Sequence, residues 1–444
     1  MRPTFLHKAI YDDIFTKDRN FYRQTVERTD YPQLDKNHQT DVLIIGGGVS
    51  GLATAYYLGE KSSLDITVVE RHFLGWGASG RNGGQILPGY MNPPGRMVRK
   101  FGFDVPRKLW DISIDGVEAI KNLIDKHEID CDLSRGAITP VAPKYYDRAA
   151  IEKKTDLLNS LGVHAKILDR DETAAALSSD PEYYAAAIAN PDHAYHFHPL
   201  KYVQGLGRAM RSRVNIFENS GVIGINPEAD GIDVYTAKGV IRTRKLILCG
   251  DSYLGTLVPS LRRKYVLIRN GMVATEILPD GLDIMKADYC ASEYGGELFF
   301  YKKTFDNRLI VGGGDAVRPN SNFLSSEQLI IDSLKKGAVQ IFPALKDIKI
   351  DYIWGGYIGV TSSYMPYIGN LADNVYYMGG YSGHGVNLTH AMGMLMADAV
   401  INKRNGTGTA LDKIRPFPLP GQGDYDVILA RLGMFIESVR ERFD

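Results

Sequence analysis

Residues 41–51, DVLIIGGGVSG, decide the fold of this chain. The apolar run at 42–45 is typical of a parallel strand covered on both faces. Gly46, Gly48 and Gly51 follow in the spacing G-x-G-x-x-G, which permits a tight turn, a close approach of a pyrophosphate and close helix–strand packing, in that order. Residues 52–58 then have the apolar pattern of a helix, whose N-terminus offers free N–H groups to phosphates. The segment predicts a dinucleotide-binding unit.

An acid follows the next strand. Residues 66–69, ITVV, predict that strand, and Glu70 comes directly after it. A carboxylate at this point accepts hydrogen bonds from the ribose hydroxyls and repels a 2′-phosphate. A glycine-rich turn that binds nothing is the alternative, and it is the weaker interpretation because strand, helix and acid occur together.

Length and composition limit the class of protein. A chain of 444 residues is too long for one ordinary core, so we expect two domains. A formal net charge of zero does not favour nucleic acid or an anionic membrane as a partner. Cys131, Cys249 and Cys290 form no CxxC pair, which argues against a disulfide framework or a zinc site. Without a signal-type core or a long apolar stretch, we expect a soluble, cytoplasmic protein without a membrane span.

A glycine-rich loop follows Glu70. Residues 71–86, RHFLGWGASGRNGGQI, hold five glycines, too many for the interior of a helix or strand. Ser79 adds a hydroxyl, and Arg81 adds a fixed positive charge suited to a phosphate or a polarised carbonyl. A flexible surface loop is the alternative, but Trp76 and Ile86 indicate that the loop is packed. We predict that it contacts the ligand.

A second glycine-rich turn, GGYSGHGV at 379–386, lies between a predicted strand at 375–378 and a helix at about 387–402. The helix N-terminus is again suited to a group that gains negative charge. Another predicted strand, 245–249, ends at Gly250, where backbone can approach a nucleotide. A ligand that contacts both turns must be long, and FAD fits, with its ADP half at the first turn and its isoalloxazine at the second.

These patterns predict an α/β protein, α+β overall, with a Rossmann-like FAD-binding domain and a second, antiparallel-sheet substrate domain. The domains are discontinuous in sequence. The predicted division is an N-terminal arm over 1–39, lying over the surface, an FAD-binding domain over 40–92, 200–262 and 350–415, a substrate domain over 93–199 and 263–349, and a C-terminal tail over 416–444.

The segment HAYHFHPL at 193–200 raises the question of a metal. His196 and His198 have an HxH spacing, but no acid or thiol pattern completes a site. Packed or hydrogen-bonding histidines are the preferred interpretation, and we predict no metal.

Several motifs together resemble the D-amino-acid-oxidase-like FAD oxidoreductases: the first turn with its acid, GASGRNGGQI at 77–86, MPYIG at 365–369 and GYSGHGV at 380–386. Over nearly its whole length the chain resembles the bacterial gamma-glutamylputrescine oxidase branch of that family, through segments such as VATE at 273–276. The resemblance implies a noncovalent FAD enzyme that oxidises a primary or secondary amine. Hydride would pass from the carbon beside nitrogen to flavin N5, the imine would hydrolyse to an aldehyde, and O2 would become H2O2.

The cofactor contacts predicted from the motifs and the resemblance are Gly46, Gly48, Val49, Ser50, Gly51, Glu70, Arg71, Ser79, Arg81, Asn82, Gly83, Gly84, Gln85, Val222, Gly250, Gly383, His384, Gly385 and Val386.

The candidates at the reaction centre are His384, Tyr301, Lys302, Trp354 and Tyr364. Hydride transfer from a neutral amine needs no strong base, so a loop-fixing or flavin-contact role suits His384 better than a base. Lys302 would assist oxygen reduction electrostatically, with a solvent-facing lysine as the alternative.

Aromatic side chains are candidates for the substrate pocket. Trp354 and Tyr357 would wall an amine pocket through cation–π contact, with core packing as the alternative. Tyr364 stands where the resemblance implies an Arg in many relatives, and Tyr cannot hold a substrate carboxylate bidentately as Arg can. The substrate is therefore open between gamma-glutamylputrescine and a related amine.

Other functions remain as alternatives: an amino-acid oxidase of the sarcosine or glycine type, a dehydrogenase that uses a quinone or a protein as acceptor, and a flavoprotein kept for binding or tRNA modification. Peroxide yield under air separates an oxidase from a dehydrogenase. Bleaching of the flavin by an amine excludes the binding protein.

Overall fold

Two β-sheets with helices packed against them make up the structure. It is a computed structural model that describes residues 19–295, 299–314, 318–319, 327–414 and 417–419. The predicted tail over 416–444 and the first 18 residues of the predicted arm lie almost entirely outside this part of the chain.

The strands are β1 (His38–Ile45), β2 (Ile66–Val69), β3 (Gln85–Ile86), β4 (Ser134–Val141), β5 (Lys166–Leu168), β6 (Ala186–His196), β7 (Val214–Phe217), β8 (Val222–Glu228), β9 (Gly231–Thr236), β10 (Val240–Leu248), β11 (Val266–Thr275), β12 (Cys290–Ser292), β13 (Phe299–Lys303), β14 (Leu309–Gly313), β15 (Arg318–Pro319), β16 (Ile350–Val360), β17 (Tyr367–Ala372) and β18 (Val375–Gly379). The α-helices are α1 (Phe21–Gln24), α2 (Val49–Lys61), α3 (Pro94–Phe101), α4 (Asp104–His127), α5 (Arg148–Ser160), α6 (Arg170–Leu177), α7 (Pro199–Ala209), α8 (Glu327–Ile341) and α9 (Val386–Ile401). Short 3-10 helices include Ala78–Gly80 and Asp251–Thr256.

The first sheet has the order β17-β18-β10-β1-β2-β7, and β9 and β8 extend it from β10. Its strands from β18 to β7 run parallel, with Ile44 of β1 paired to Ile247 on one side and to Val68 on the other. Ile44, Val68 and Ile247 are fully buried, as expected of strands covered on both faces. The predicted Rossmann-like unit β1-α2-β2 is confirmed.

The second sheet has the order β15-β11-β14-β13-β12-β4-β6-β3, with β16 paired to β11 and β5 to β6. Most of its pairs are antiparallel, which confirms the predicted class of fold. The predicted boundary at residue 350 assigned β16 to the nucleotide-binding part. In the structure, β16 pairs with β11 of this second sheet, from Val266↔Val360 to Thr275↔Ile350. β3 likewise pairs with β6 of this sheet. The division into domains itself stays a prediction.

The described part of the N-terminal arm is buried at α1. Phe21 and Tyr22 are 3% and 0% exposed, and their rings meet the rings of His198 and Trp354. Arg19 donates from Nε to the carbonyl oxygen of Asp351 at 3.1 Å. This segment of the predicted arm is packed against the protein, because two large aromatic side chains take it into the core.

Helices α2 and α9 pack unusually closely. A Cβ added at Gly393 would lie 2.9 Å from Cβ of Ala53 and 3.0 Å from the backbone nitrogen of Thr54. Ser50 Oγ, in the first turn of α2, and the hydroxyl of Tyr381, in the turn that precedes α9, are 2.8 Å apart. The packing therefore places the two predicted glycine-rich turns next to each other.

Within the described ranges, no helix combines the length and hydropathy that crossing a membrane requires. Cys131, Cys249 and Cys290 are each buried and free.

Replacing Gly393 with Ala is expected to lower the free energy of unfolding by about 1–3 kcal/mol, because the new methyl group meets backbone that cannot move aside. Gly59, in the last turn of α2, is the control, since its nearest neighbour would lie 3.9 Å from a new Cβ. Gly59→Ala should be neutral or stabilise by up to about 1 kcal/mol through helix propensity. Thermal unfolding of the FAD-loaded variants tests both; equal stability of the two variants contradicts the packing argument.

Acid should destabilise the fold through His390 of α9. Its Nε2 lies 2.7 Å from the Tyr202 hydroxyl, and burial lowers the pKa of His390 to about 3. The unfolded chain then binds a proton between pH 6.5 and 3 that the folded chain does not, so stability falls as pH falls through this window. His390→Gln, which keeps a hydrogen-bond acceptor, should reduce the pH dependence of the free energy of unfolding by up to about 1.4 kcal/mol per pH unit. Denaturant unfolding of wild type and His390→Gln at pH 7, 6 and 5 measures how the free energy of unfolding depends on pH. The same pH dependence in both proteins contradicts the prediction.

Candidate active site

The first turn requires its glycines. Gly46 has φ +115°, and a Cβ there would lie 2.9 Å from the backbone carbon of Cys249. A Cβ at Gly51 would lie 2.0 Å from the carbonyl oxygen of Gly46. Gly48 is the N-cap of α2 and supplies no side chain, and Ser79 Oγ accepts a hydrogen bond from Val49 N–H at 2.9 Å. The turn therefore keeps the helix N-terminus clear of side chains other than the small hydroxyl of Ser79.

Glu70 lies at the end of β2, beside the same turn. Its Oε2 accepts from Gly47 N–H at 2.8 Å and its Oε1 from His72 N–H at 2.9 Å. Burial raises the pKa of the Glu70 carboxyl, although these backbone donors oppose the shift. Each oxygen keeps a second lone pair, so the carboxylate is fixed in place and can still accept from ribose hydroxyls. Arg71 Nη2 lies 3.5 Å from the Val222 carbonyl, which places both residues beside Glu70.

The guanidinium of Arg81 donates hydrogen bonds to backbone carbonyl oxygens. Its Nε donates to Trp76 O at 2.6 Å and its Nη1 to Gly355 O at 3.1 Å, and the guanidinium carbon lies 4.5 Å from the Trp76 ring centre. Trp354 Nε1 donates a hydrogen bond to the carbonyl oxygen of Arg81 at 3.0 Å. These contacts tie the glycine-rich loop to β16 of the second sheet.

Other polar side chains of the loop also bind protein. Asn82 donates to the Ala78 and Ser79 carbonyls and accepts from Gly84 N–H at 2.8 Å. Gln85 Nε2 donates to Ala291 O at 2.9 Å, and its Oε1 accepts from the hydroxyl of Ser292 at 2.8 Å. A Cβ at Gly83 would lie 2.8 Å from the Phe300 ring. The side chains thus shape the loop, and its backbone is the part suited to contact a ligand.

The C-terminal turn reaches back to this loop through His384. His384 Nε2 lies 3.1 Å from the carbonyl oxygen of Leu87. Since a carbonyl only accepts, Nε2 carries the proton and Nδ1 is the acceptor in the neutral ring. Burial lowers the pKa of His384, which favours that neutral form. Gly383 has φ +89°, and Gly385 is the N-cap of α9, which Val386 begins.

Two residues that the sequence interpretation missed join the turns. Asp251 Oδ1 accepts from Gly380 N–H at 2.5 Å, and burial raises the pKa of this carboxyl. Tyr381 reaches Ser50, as described above. The sequence contained one usable signal: Asp251 directly follows Gly250 at the end of a buried strand.

The candidates for the reaction centre separate in space. Lys302 and Phe300 face the glycine-rich loop, whereas Tyr301 lies on the opposite face of β13, with its hydroxyl 3.0 Å from that of Tyr184. Trp354 is 2% exposed and packs with α1 and the second sheet. We therefore leave Tyr301 and Trp354 out of the proposed reaction centre.

Two aromatic candidates remain near the turns. Tyr357 is buried against Tyr265 and Leu267, so core packing describes its position better than a pocket wall. Tyr364 is half-buried in the turn between β16 and β17, with φ +54° and its N–H 3.2 Å from the Thr361 carbonyl oxygen. Only Tyr364 keeps the partial exposure that a substrate contact needs.

His196 and His198 bind protein groups. His196 Nε2 lies 2.7 Å from the Asp288 carbonyl oxygen, and His198 Nδ1 accepts from Lys201 N–H at the start of α7. Burial, followed by the charge of Lys302, lowers the pKa of His196 to about 4 and that of His198 to about 3. The part of the chain that the structure describes contains no group of three metal-binding side chains.

The two turns fit FAD. A parallel sheet, a helix N-terminus approached by the small Ser79 hydroxyl and a fixed acid suit an adenosine diphosphate. The start of α9 provides a second set of backbone donors, and the turn before it contacts α2 through Tyr381 and Ser50. This combination, beside a mixed sheet, is typical of a two-sheet dinucleotide-binding protein.

Comparison with known proteins also identifies an FAD-dependent family. Residues 41–399 match the model of the family described as FAD dependent oxidoreductase, DAO. The chain belongs to this family and uses FAD, which confirms the predicted family and cofactor. It is 33% identical over 421 residues to the gamma-glutamylputrescine oxidoreductase of Escherichia coli (strain K12), across 93% of this chain and 95% of that protein.

Two crystal structures share the fold. The structure resembles glycine oxidase from Geobacillus kaustophilus with a TM-score of 0.70 and 16% identity, over 87% of this chain and 100% of that one. It resembles L-proline dehydrogenase from P. horikoshii with a TM-score of 0.70 and 20% identity, over 84% of this chain and 96% of that one.

Glu70→Gln is expected to weaken FAD binding about 10- to 100-fold, because charged hydrogen bonds contribute roughly 1.5–3 kcal/mol each. Glu276→Gln is the matched control, since Glu276 accepts from Lys349 N–H at 2.9 Å in the second sheet, away from the turn. FAD dissociation constants from fluorescence titration of the apoproteins measure the effect. Equal constants for Glu70→Gln and the wild type would remove Glu70 from the cofactor site.

Proposed function

We propose that this protein is an FAD-dependent amine oxidase that acts on gamma-glutamylputrescine or a related amine. The observation that carries the proposal is the 33% identity to the Escherichia coli gamma-glutamylputrescine oxidoreductase along nearly the whole of both chains. The substrate carbon beside nitrogen is oxidised to an imine, which water hydrolyses to an aldehyde, and O2 takes up the two electrons and becomes H2O2.

The residues around the two turns support a noncovalent FAD site. The backbone of Gly46, Gly48 and Gly51 with the N-terminus of α2 would hold the pyrophosphate, and Glu70 the ribose. FAD, when bound, supplies the two-electron oxidation of the amine. Cys131, Cys249 and Cys290 are buried, and none lies in residues 359–369 of the C-terminal segment.

The helix N-termini at the two turns define what the protein adds to the chemistry. Partial positive charge at the start of α9 favours a ligand that becomes more negative on reduction. Asp251 fixes the Gly380 end of this turn, and His384 fixes its other end to Leu87. Both contacts hold the backbone donors in place before the substrate arrives, so little reorganisation is needed during the reaction.

His384 serves in this proposal as a neutral positioning residue. Its proton stays on Nε2, which donates a hydrogen bond to the carbonyl oxygen of Leu87, and burial disfavours a second proton on the ring. A neutral amine already carries the lone pair that expels hydride, so no strong base is required. The remaining Nδ1 can accept a hydrogen bond but does not carry positive charge.

Substrate recognition has fewer candidates than the sequence suggested. Arg81 is held by two carbonyls, and Lys302 is buried, so neither reaches out to a substrate carboxylate. Tyr364, half-buried beside the C-terminal turn, remains as a side chain that can cover an alkyl chain and donate one hydrogen bond. This favours an amine with a long apolar section over a short amino acid whose carboxylate needs a bidentate cation.

Catalytic efficiency should therefore be highest for gamma-glutamylputrescine among gamma-glutamylputrescine, putrescine, sarcosine and glycine at one pH. The experiment is anaerobic flavin reduction by each amine, followed by peroxide yield under air. If sarcosine or glycine leads, the amino-acid oxidase alternative replaces the proposal. If an amine bleaches the flavin but air yields no peroxide, a dehydrogenase with a quinone or protein acceptor replaces it. If no amine bleaches the flavin, amine oxidation is excluded.

A further inference from the structure

A buried lysine lies directly behind the glycine-rich loop. Lys302 is 4% exposed, and its ammonium donates to the carbonyl oxygen of Phe197. Phe197 N–H in turn donates to the carbonyl oxygen of Gly84 at 2.9 Å. A Cβ at Gly84, which has φ +67°, would lie 2.6 Å from Lys302 Nζ. The ammonium therefore sits against the loop backbone at the point where only glycine fits.

No acid forms an ion pair with Lys302 in the described part of the chain. None of the ion pairs among the described residues includes Lys302. Of the nearby acids, Asp132 forms an ion pair with Lys201 Nζ at 2.7 Å. Asp132 and Asp288 act on Lys302 only from beyond ion-pair distance. Desolvation lowers the pKa of Lys302 to about 8, which still leaves the amine mostly protonated at neutral pH.

The other neighbours of Lys302 named here add no negative charge. His196 and His198 are held neutral by burial, and burial raises the pKa of the Cys290 thiol to about 12, so Cys290 is neutral as well. The Tyr22 ring centre lies 5.8 Å from Nζ and offers only a weak cation–π contact. An apolar side chain at position 302 would avoid the cost of burying an ammonium, which points to a role for the charge beyond packing.

We propose that Lys302 is a positioning residue that holds a buried positive charge, without an ion-pair partner, behind the Gly83–Gly84–Gln85 backbone and thereby raises the electron affinity of the flavin bound at that loop. The proposal rests on the assignment of FAD to the loop. It does not depend on which amine is oxidised. A positive charge in a water-excluded site favours the more negative, reduced form of a bound group.

The test compares FAD-loaded wild type, Lys302→Met, Lys302→Arg and Lys303→Met. Met matches the length of Lys without its charge, Arg keeps the charge, and Lys303 is the next residue on the same strand. The readouts are the flavin midpoint potential and the dissociation constant of the flavin–sulfite adduct, neither of which needs a substrate. In Lys302→Met we expect a tenfold lower equilibrium constant for two-electron reduction, which corresponds to a potential about 30 mV lower, and sulfite binding at least about tenfold weaker. Lys302→Arg should keep a midpoint potential and a sulfite affinity close to those of wild type. Lys303→Met should equal wild type in both quantities.

Each outcome decides the proposal. A Lys302→Met potential equal to that of wild type overturns it, and so does an equal fall in Lys302→Arg, which would indicate disturbed packing rather than lost charge. If Lys302→Met does not retain FAD, Lys302→Gln replaces it, because Gln keeps a donor for the Phe197 carbonyl without the charge, and the same fall is expected. Since no amine is used, failure here leaves the proposed substrate untouched, and a wrong substrate leaves this result untouched.

Discussion

The contact between helices α2 and α9 is the constraint on which the site depends. The two glycine-rich turns are more than 300 residues apart in the chain, and the close approach at Gly393 and Ala53 puts their helices side by side. Ser50 and Tyr381 then join the helix starts directly. Two helix N-termini that lie together create a continuous region of backbone donors, which a long, phosphate-bearing cofactor needs. A bulkier residue at position 393 would separate the two halves of that region.

The glycine-rich loop is the second connection, and it joins the two sheets. Arg81 and Trp354 exchange contacts between the loop and β16, and Gln85 bonds to β12 through Ala291 and Ser292. These side chains carry polar groups that could have served a ligand. Their use inside the protein fixes the loop backbone at a boundary between the sheets, so the second sheet is positioned relative to the nucleotide-binding unit by the same residues that shape the loop.

The parts of the fold that follow from local pattern were predictable. Residues 41–70 read correctly as strand, turn, helix and strand with a terminal acid, because apolar runs and glycine spacing act within one unit. The burial of Tyr22, the pairing of β16 with β11 and the side to which Tyr301 points were not predictable. Each depends on a partner far away in the chain, and hydropathy does not encode which partner that is. The same limit explains why Asp251 was missed: its importance comes from Gly380, more than 100 residues later.

The two cations around the loop differ in a way that fits their positions. Arg81 donates from two guanidinium nitrogens to two different carbonyls and stacks on Trp76, so it acts as a geometric clamp. Lys302 donates to the Phe197 carbonyl and lies against Gly84, so it contributes charge more than shape. Backbone carbonyl oxygens accept hydrogen bonds from both cations. Together with the partial positive charge of the helix starts, the two cations add a positive field at the loop. Such a field stabilises a bound group in proportion to the negative charge it gains, which is what a site for reduction of its cofactor requires.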